Sequence, residues 1–180
     1  MSPGVRRCLH VSTALLPLLV PLERYGTLRA ALLWGVPLVL GLELLRLGFP
    51  PVAAWLAATI PVFRPSEANR LSGAAWLWLG FAVAVLFAPL AARGGMVVSA
   101  LADPAASWIG GRWGKGAAKS WVGSAVVLIV GGLTLAGLGF DLRAVAAAGA
   151  GAAAIERWSR PLDDNLVLAP GVAAILWILA

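Results

Sequence analysis

An acid followed by a run rich in glycine and lysine is the part of this chain best suited to chemistry. Residues 103–124 read Asp103-Pro-Ala-Ala-Ser-Trp-Ile-Gly-Gly-Arg-Trp-Gly-Lys-Gly-Ala-Ala-Lys-Ser-Trp-Val-Gly-Ser124. Gly110, Gly111, Gly114 and Gly116 let backbone N–H groups approach an anion. Arg112, Lys115 and Lys119 supply positive charge, and Lys119-Ser120 opens the next helix, whose N-terminus favours negative charge. The combination suits a polyphosphate with its metal. It is not a Walker A loop, because the glycine-to-lysine spacing differs and no strand precedes it. A flexible basic loop between two helices has the same composition. Asp103 separates the two readings: a charge inside an apolar helix costs about 2.5–3.5 kcal/mol or more and marks function by default.

Three further clusters are weaker. In Glu156-Arg-Trp-Ser-Arg-Pro-Leu-Asp163-Asp164-Asn165-Leu166, adjacent acids and an amide can ligate Mg2+, which prefers oxygen ligands and often bridges to phosphates. The same residues can simply cap a helix, and Glu156 can pair with Arg157 or Arg160. Arg64-Pro-Ser-Glu67-Ala-Asn-Arg70-Leu-Ser-Gly73 can hold a phosphate or lipid headgroup, or be a juxtamembrane ion-pair loop. Arg6-Arg7-Cys8-Leu9-His10 offers the one histidine, at a helix end where a structural role is as natural. No Ser-His-Asp arrangement is visible, and one histidine and one cysteine leave no Cys/His metal spacing, haem-type His pair or internal disulfide.

The elements that must position these residues are apolar. Of 180 residues 61% are hydrophobic and 12% charged, with a mean hydropathy of +0.89, against about half and a quarter in soluble domains. About 20 apolar residues cross a bilayer as a helix. Candidate spans lie at 9–22, 28–46, 70–90, 94–110, 120–138, 142–157 and 165–180. This predicts an all-α bundle of six or seven transmembrane helices, residues 1–180 forming one integral membrane domain. Residues 49–63, interrupted by Pro50, Pro51 and Pro61, are expected as an amphipathic interfacial helix anchored by Trp55 and Arg64. Arg6 and Arg7 before an apolar run resemble a signal peptide, but no small-x-small site follows, so a retained first span is expected. The Gly/Ala-rich stretch 131–154 suits close helix packing.

The net charge of +6 has its source in topology rather than nucleic acid. With the N-terminus inside, cytoplasmic segments hold Arg6, Arg7, Arg46, Arg64, Arg70, Arg112, Lys115, Lys119, Arg157 and Arg160. The far side holds Arg24, Arg29, Arg93 and Arg143. Ten against four orients the chain. Glu43, Glu67, Asp103, Glu156, Asp163 and Asp164 fall on the same side, giving one charged face of both signs. The compact chain fits a bacterial inner membrane; oligomeric state is left open.

Taken in order, the motifs resemble the dolichol kinase, phytol kinase and CTP-dependent diacylglycerol kinase family of membrane lipid-alcohol kinases. The resemblance is carried by Arg6-Arg7-x-x-His10, and by Arg64 and Glu67 before Ser72-Gly73-Ala74. Asp103-x-x-Ala106-x-x-x-Gly110-x-x-x-Gly114-Lys115 follows, then Lys119-Ser120-x-x-Gly123-Ser124, and finally Glu156 with Asp163-Asp164-Asn165-Leu166. Val122 stands where the dolichol kinase branch tends to carry Glu, which is closer to the phytol kinase form. The resemblance implies phosphoryl transfer from CTP, with Mg2+, to the hydroxyl of a lipid alcohol of phytol, polyprenol or diacylglycerol type. It implies Asp103, Lys119 and Asp164 as catalytic residues, and Gly110, Gly114, Lys115, Lys119 and Ser120 at the nucleotide. Asp103, Asp163 and Asp164 would hold the metal, and His10, Arg64, Glu67 and Asn165 would complete the pocket. CMP transfer to phosphatidate, or a non-enzymatic transporter or lipid-binding role, are the rival expectations.

Overall fold

A computed structural model describes residues 3–60, 63, 67–114 and 119–179. The described chain is all α-helix, without strands: α1 (Pro3–Ser12), α2 (Leu15–Leu19), α3 (Tyr25–Gly48), α4 (Pro50–Thr59), α5 (Gly73–Ala84), α6 (Pro89–Trp113), α7 (Trp121–Gly137), α8 (Leu142–Trp158) and α9 (Asp164–Leu179). Local chemistry sets the starts. The side chains of Ser72, Ser120 and Asp141 accept from the backbone N–H of Ala75, Gly123 and Ala144, capping α5, α7 and α8. Prolines open α4 and α6, where a missing N–H costs nothing.

The expected span at 9–22 is not one helix. The backbone N–H groups of Thr13 and Ala14 bond back three residues, to His10 and Val11 (3.1 and 3.0 Å), and the helix ends there. The ten residues of α1 instead pack on α6, and α2 follows as a single separate turn. Nor is α4 amphipathic: it is apolar on every side and carries no charge. Arg64, its expected anchor, lies outside the described residues. Among the described residues, one helical stretch, Leu22–Gly48, is both long and apolar enough to cross a membrane, while α5, α7 and α9 are shorter apolar helices.

α6 is the central helix, packing on α7, α9, α1 and α2, with α9 also against α5 and α8. Small residues make this possible. Ala91, Ala92, Gly94, Gly95, Ser99, Ala100 and Ala102 of α6 are all buried. A Cβ at Gly95 would strike the Ala169 carbonyl and lie 2.9 Å from the Ala173 nitrogen; one at Gly80 would strike the carbonyl of Asn165. These contacts fix where α9 begins relative to α5 and α6, and therefore where Asp164 and Asn165 stand.

Candidate functional site

One end of the bundle encloses a cavity of about 670 Å3. Helical periodicity delivers its walls. On α1, Arg6 and His10 fall at i and i+4, with Thr13 in the turn that follows; on α6, Asp103, Ser107 and Gly110 fall at i, i+4 and i+7. Lys119, Ser120 and Gly123 come from the start of α7, Glu156 from the end of α8, and Asp164 and Asn165 from the start of α9. Glu67, Gly73, Ala74 and Leu77 come from α5 and the turn before it.

Lys119 joins three of these elements. Its Nζ lies 2.6 Å from Asp164 Oδ2 and 3.4 Å from Glu156 Oε1, and Ser124 Oγ donates to Glu156 Oε2 at 2.9 Å. Arg157 donates to the Lys119 carbonyl at 2.9 Å and lies over the Trp121 ring. Burial alone would depress the lysine, but its hydrogen bond to Asp164 and the charges of Asp164, Glu156 and Asp103 raise it above its usual 10.5. Burial likewise opposes ionisation of Asp164, and Lys119 outweighs it, holding that carboxyl below its usual 3.8.

Asp103 faces His10, with Nδ1 and Oδ2 3.7 Å apart, beyond hydrogen-bond distance. The other ring nitrogen, Nε2, is buried without a partner, as is Asn165 Oδ1. Glu67 is buried, and its Oε1 accepts from the Gly73 N–H at 3.2 Å.

Of the residues expected from sequence, His10, Glu67, Asp103, Gly110, Lys119, Ser120, Asp164 and Asn165 therefore share one cavity. Asp163 and Gly114 are not among its lining residues. Asp163 Oδ1 accepts from the Asn165 backbone N–H and Nδ2 at 3.1 and 2.9 Å, so this acid caps α9, and burial raises its pKa. Gly114 is the C-cap of α6, its N–H on the Gly110 carbonyl. Lys115 and Arg64 lie outside the described residues. Asp103, Asp163 and Asp164 do not converge: among the described residues no group of three His, Cys, Asp or Glu side chains is arranged around a metal position.

Sequence reasoning missed the scaffold behind Glu67. Arg46, at the end of α3, donates to Glu43 Oε2 (2.6 Å) and to the carbonyls of Glu67 (3.0 Å) and Arg70 (2.6 Å), and lies over the Phe63 ring. Glu43 in turn accepts from the Ser72 hydroxyl and N–H at 2.8 and 3.1 Å. The available signal was an acid and an arginine three apart near the end of an apolar helix. Arg6, Arg7 and Glu156 also line the cavity, and Glu156 pairs with Lys119 rather than with Arg157 or Arg160.

No family model, curated protein or solved structure matches this chain. The reading of the cavity therefore rests on its chemistry.

Proposed function

We propose that this chain is a membrane-embedded phosphotransferase that moves a phosphoryl group from CTP to the hydroxyl of a membrane lipid alcohol. The observation that carries the reading is the cavity itself. Acids, a lysine, arginines and a helix N-terminus meet there beside an apolar flank of Leu9, Ile60 and Leu77. Polyphosphate and hydrocarbon chemistry are thus offered in one enclosure.

The membrane setting is supported by the outer surface. In the apolar window of Leu22–Gly48 only 17% is buried, and Trp34 is 80% exposed. Leu133 of α7, Leu142 of α8 and Ile178 of α9 are similarly bare. Soluble proteins rarely expose such continuous apolar surface. Exposed Trp108, Trp113, Trp121 and Trp158 sit at the ends of α6, α7 and α8 nearest the cavity, where an interfacial aromatic belt would lie. In this reading the other helices, including the shorter apolar α5, α7 and α9, complete a bundle of six or seven spans, the N-terminus is cytoplasmic, and the cavity opens at headgroup level.

Phosphoryl transfer needs positioning and charge neutralisation more than covalent help from the protein. The acceptor oxygen attacks the terminal phosphorus, the bridging P–O bond breaks, and CDP leaves. Asp103 stands closest in role to the acceptor, oriented by its position on α6 and by His10. Lys119, fixed between Glu156 and Asp164, offers a cation at the start of α7. Mg2+ is compatible with the donor set: it usually takes one or two carboxylates with substrate phosphates. Asp103, Asp164 and the unpartnered Asn165 Oδ1 are hard oxygen donors on one cavity. When bound, the ion would neutralise charge on the phosphates.

The test is purified protein in detergent with Mg2+, CTP and a panel of phytol, farnesol, polyprenol and diacylglycerol. Phosphorylation of at least one alcohol is expected. Absence of transfer to every alcohol, with no CTP-dependent thermal shift, would sink the reading.

A further inference from the structure

The cavity carries side chains of both charges. Its described lining holds Arg6, Arg7 and Lys119 against Glu67, Asp103, Glu156 and Asp164. Lys119 is committed to two acids, at 2.6 and 3.4 Å, and Asp103 faces His10. Among the described residues the guanidinium groups of Arg6 and Arg7 make no hydrogen bond or ion pair, and Arg7 Nε is buried without a partner. A buried guanidinium nitrogen left unsatisfied is costly, and a planar guanidinium matches phosphate oxygens two at a time. Both arginines come from α1, a ten-residue helix whose main packing partner is α6.

We propose that Arg6 and Arg7 form the phosphate-binding wall of the cavity, taking the oxygens of a polyphosphate. Lys119 already holds Glu156 and Asp164, and the N-terminal helix supplies the other two cations of the described lining. The ligand class rests on the phosphotransferase reading; the anion site does not depend on turnover.

Binding of inorganic tripolyphosphate and of Mg-CTP to the purified full chain in detergent tests this, by calorimetry. Arg7→Gln and Arg6→Gln are each expected to weaken both ligands at least tenfold, and Arg7→Lys less than Arg7→Gln, because it keeps the charge and loses the fork. Arg29→Gln, at the opposite end of the bundle, is the control and should bind as the wild type. Elution as a monodisperse peak with unchanged melting temperature separates lost binding from lost folding. If Arg7→Gln misfolds, the Arg7→Lys and Arg6→Gln affinities decide. Wild-type affinity in the folded arginine variants, or no tripolyphosphate binding by the wild type, would overturn the proposal. Arginine-dependent tripolyphosphate binding without any phosphoryl transfer would uphold it and overturn the kinase reading instead.

Discussion

At the scale of residues, Lys119, at the start of α7, ties three helices together: its Nζ lies 2.6 Å from Asp164 of α9 and 3.4 Å from Glu156 of α8. Asp103 and Lys119 stand out among alanines and glycines, and both line the cavity. Lys119 and Glu156 are far apart in sequence, so their contact, and the release of Arg157 to the Lys119 carbonyl, could not be read from local spacing. Asp163 and Asp164 look equivalent as neighbours, yet one caps a helix and the other meets the lysine. Lys119→Met should cost about 1.5–3 kcal/mol, the range for a hydrogen bond to a charged group. Lys119 is raised above its usual 10.5, so its share is full below that pH and lost as pH climbs through the raised value. Asp164 is lowered below 3.8, so its share is full above that pH and lost as pH falls through the lowered value. The difference in melting temperature between wild type and Lys119→Met should therefore be flat between about pH 5 and 9 and shrink outside it. A difference that grows steadily across that window would contradict the pairing. Asp103→Asn should abolish transfer while the folded protein stays in the membrane; retained activity would remove Asp103 from the mechanism.

At the scale of elements, most boundaries were close to expectation because long apolar runs end at strong caps. The expected 28–46, 120–138, 142–157 and 165–180 became Tyr25–Gly48, Trp121–Gly137, Leu142–Trp158 and Asp164–Leu179. The first span failed because apolar composition says nothing about continuity: the turn at Thr13 splits it, and α1 is released to form a wall of the cavity. The close approach of α5 to α9 also escaped the sequence, since an apolar helix does not announce its partner. Gly80→Val would push a side chain into the Asn165 carbonyl. Overpacking of this kind costs about 1–3 kcal/mol, and it should shift Asp164 and Asn165 together, lowering melting temperature and transfer in the same variant. Gly41→Val, where nothing lies within 4 Å, should leave both close to wild type. Equal losses in the two variants would show that helix propensity, not the α5–α9 contact, is responsible.

At the scale of the whole molecule, an apolar exterior and one charged end divide the surface by function. Composition and charge asymmetry made that division readable before any helix was placed; the enclosure of the charged end by α1 was not. Cys8 provides a natural orientation probe, being the one cysteine and exposed. A membrane-impermeant maleimide should label it in inverted vesicles and not in sealed right-side-out vesicles, and the reverse pattern would invert the topology. The measurement that tests the central claim most directly is a pair of reactions with CTP labelled on either its γ or its α phosphorus, offered the alcohol panel and phosphatidate. Label from the γ position alone should appear in the lipid phase on an alcohol. Label from the α position in lipid, or none from either, would contradict phosphoryl transfer in this cavity.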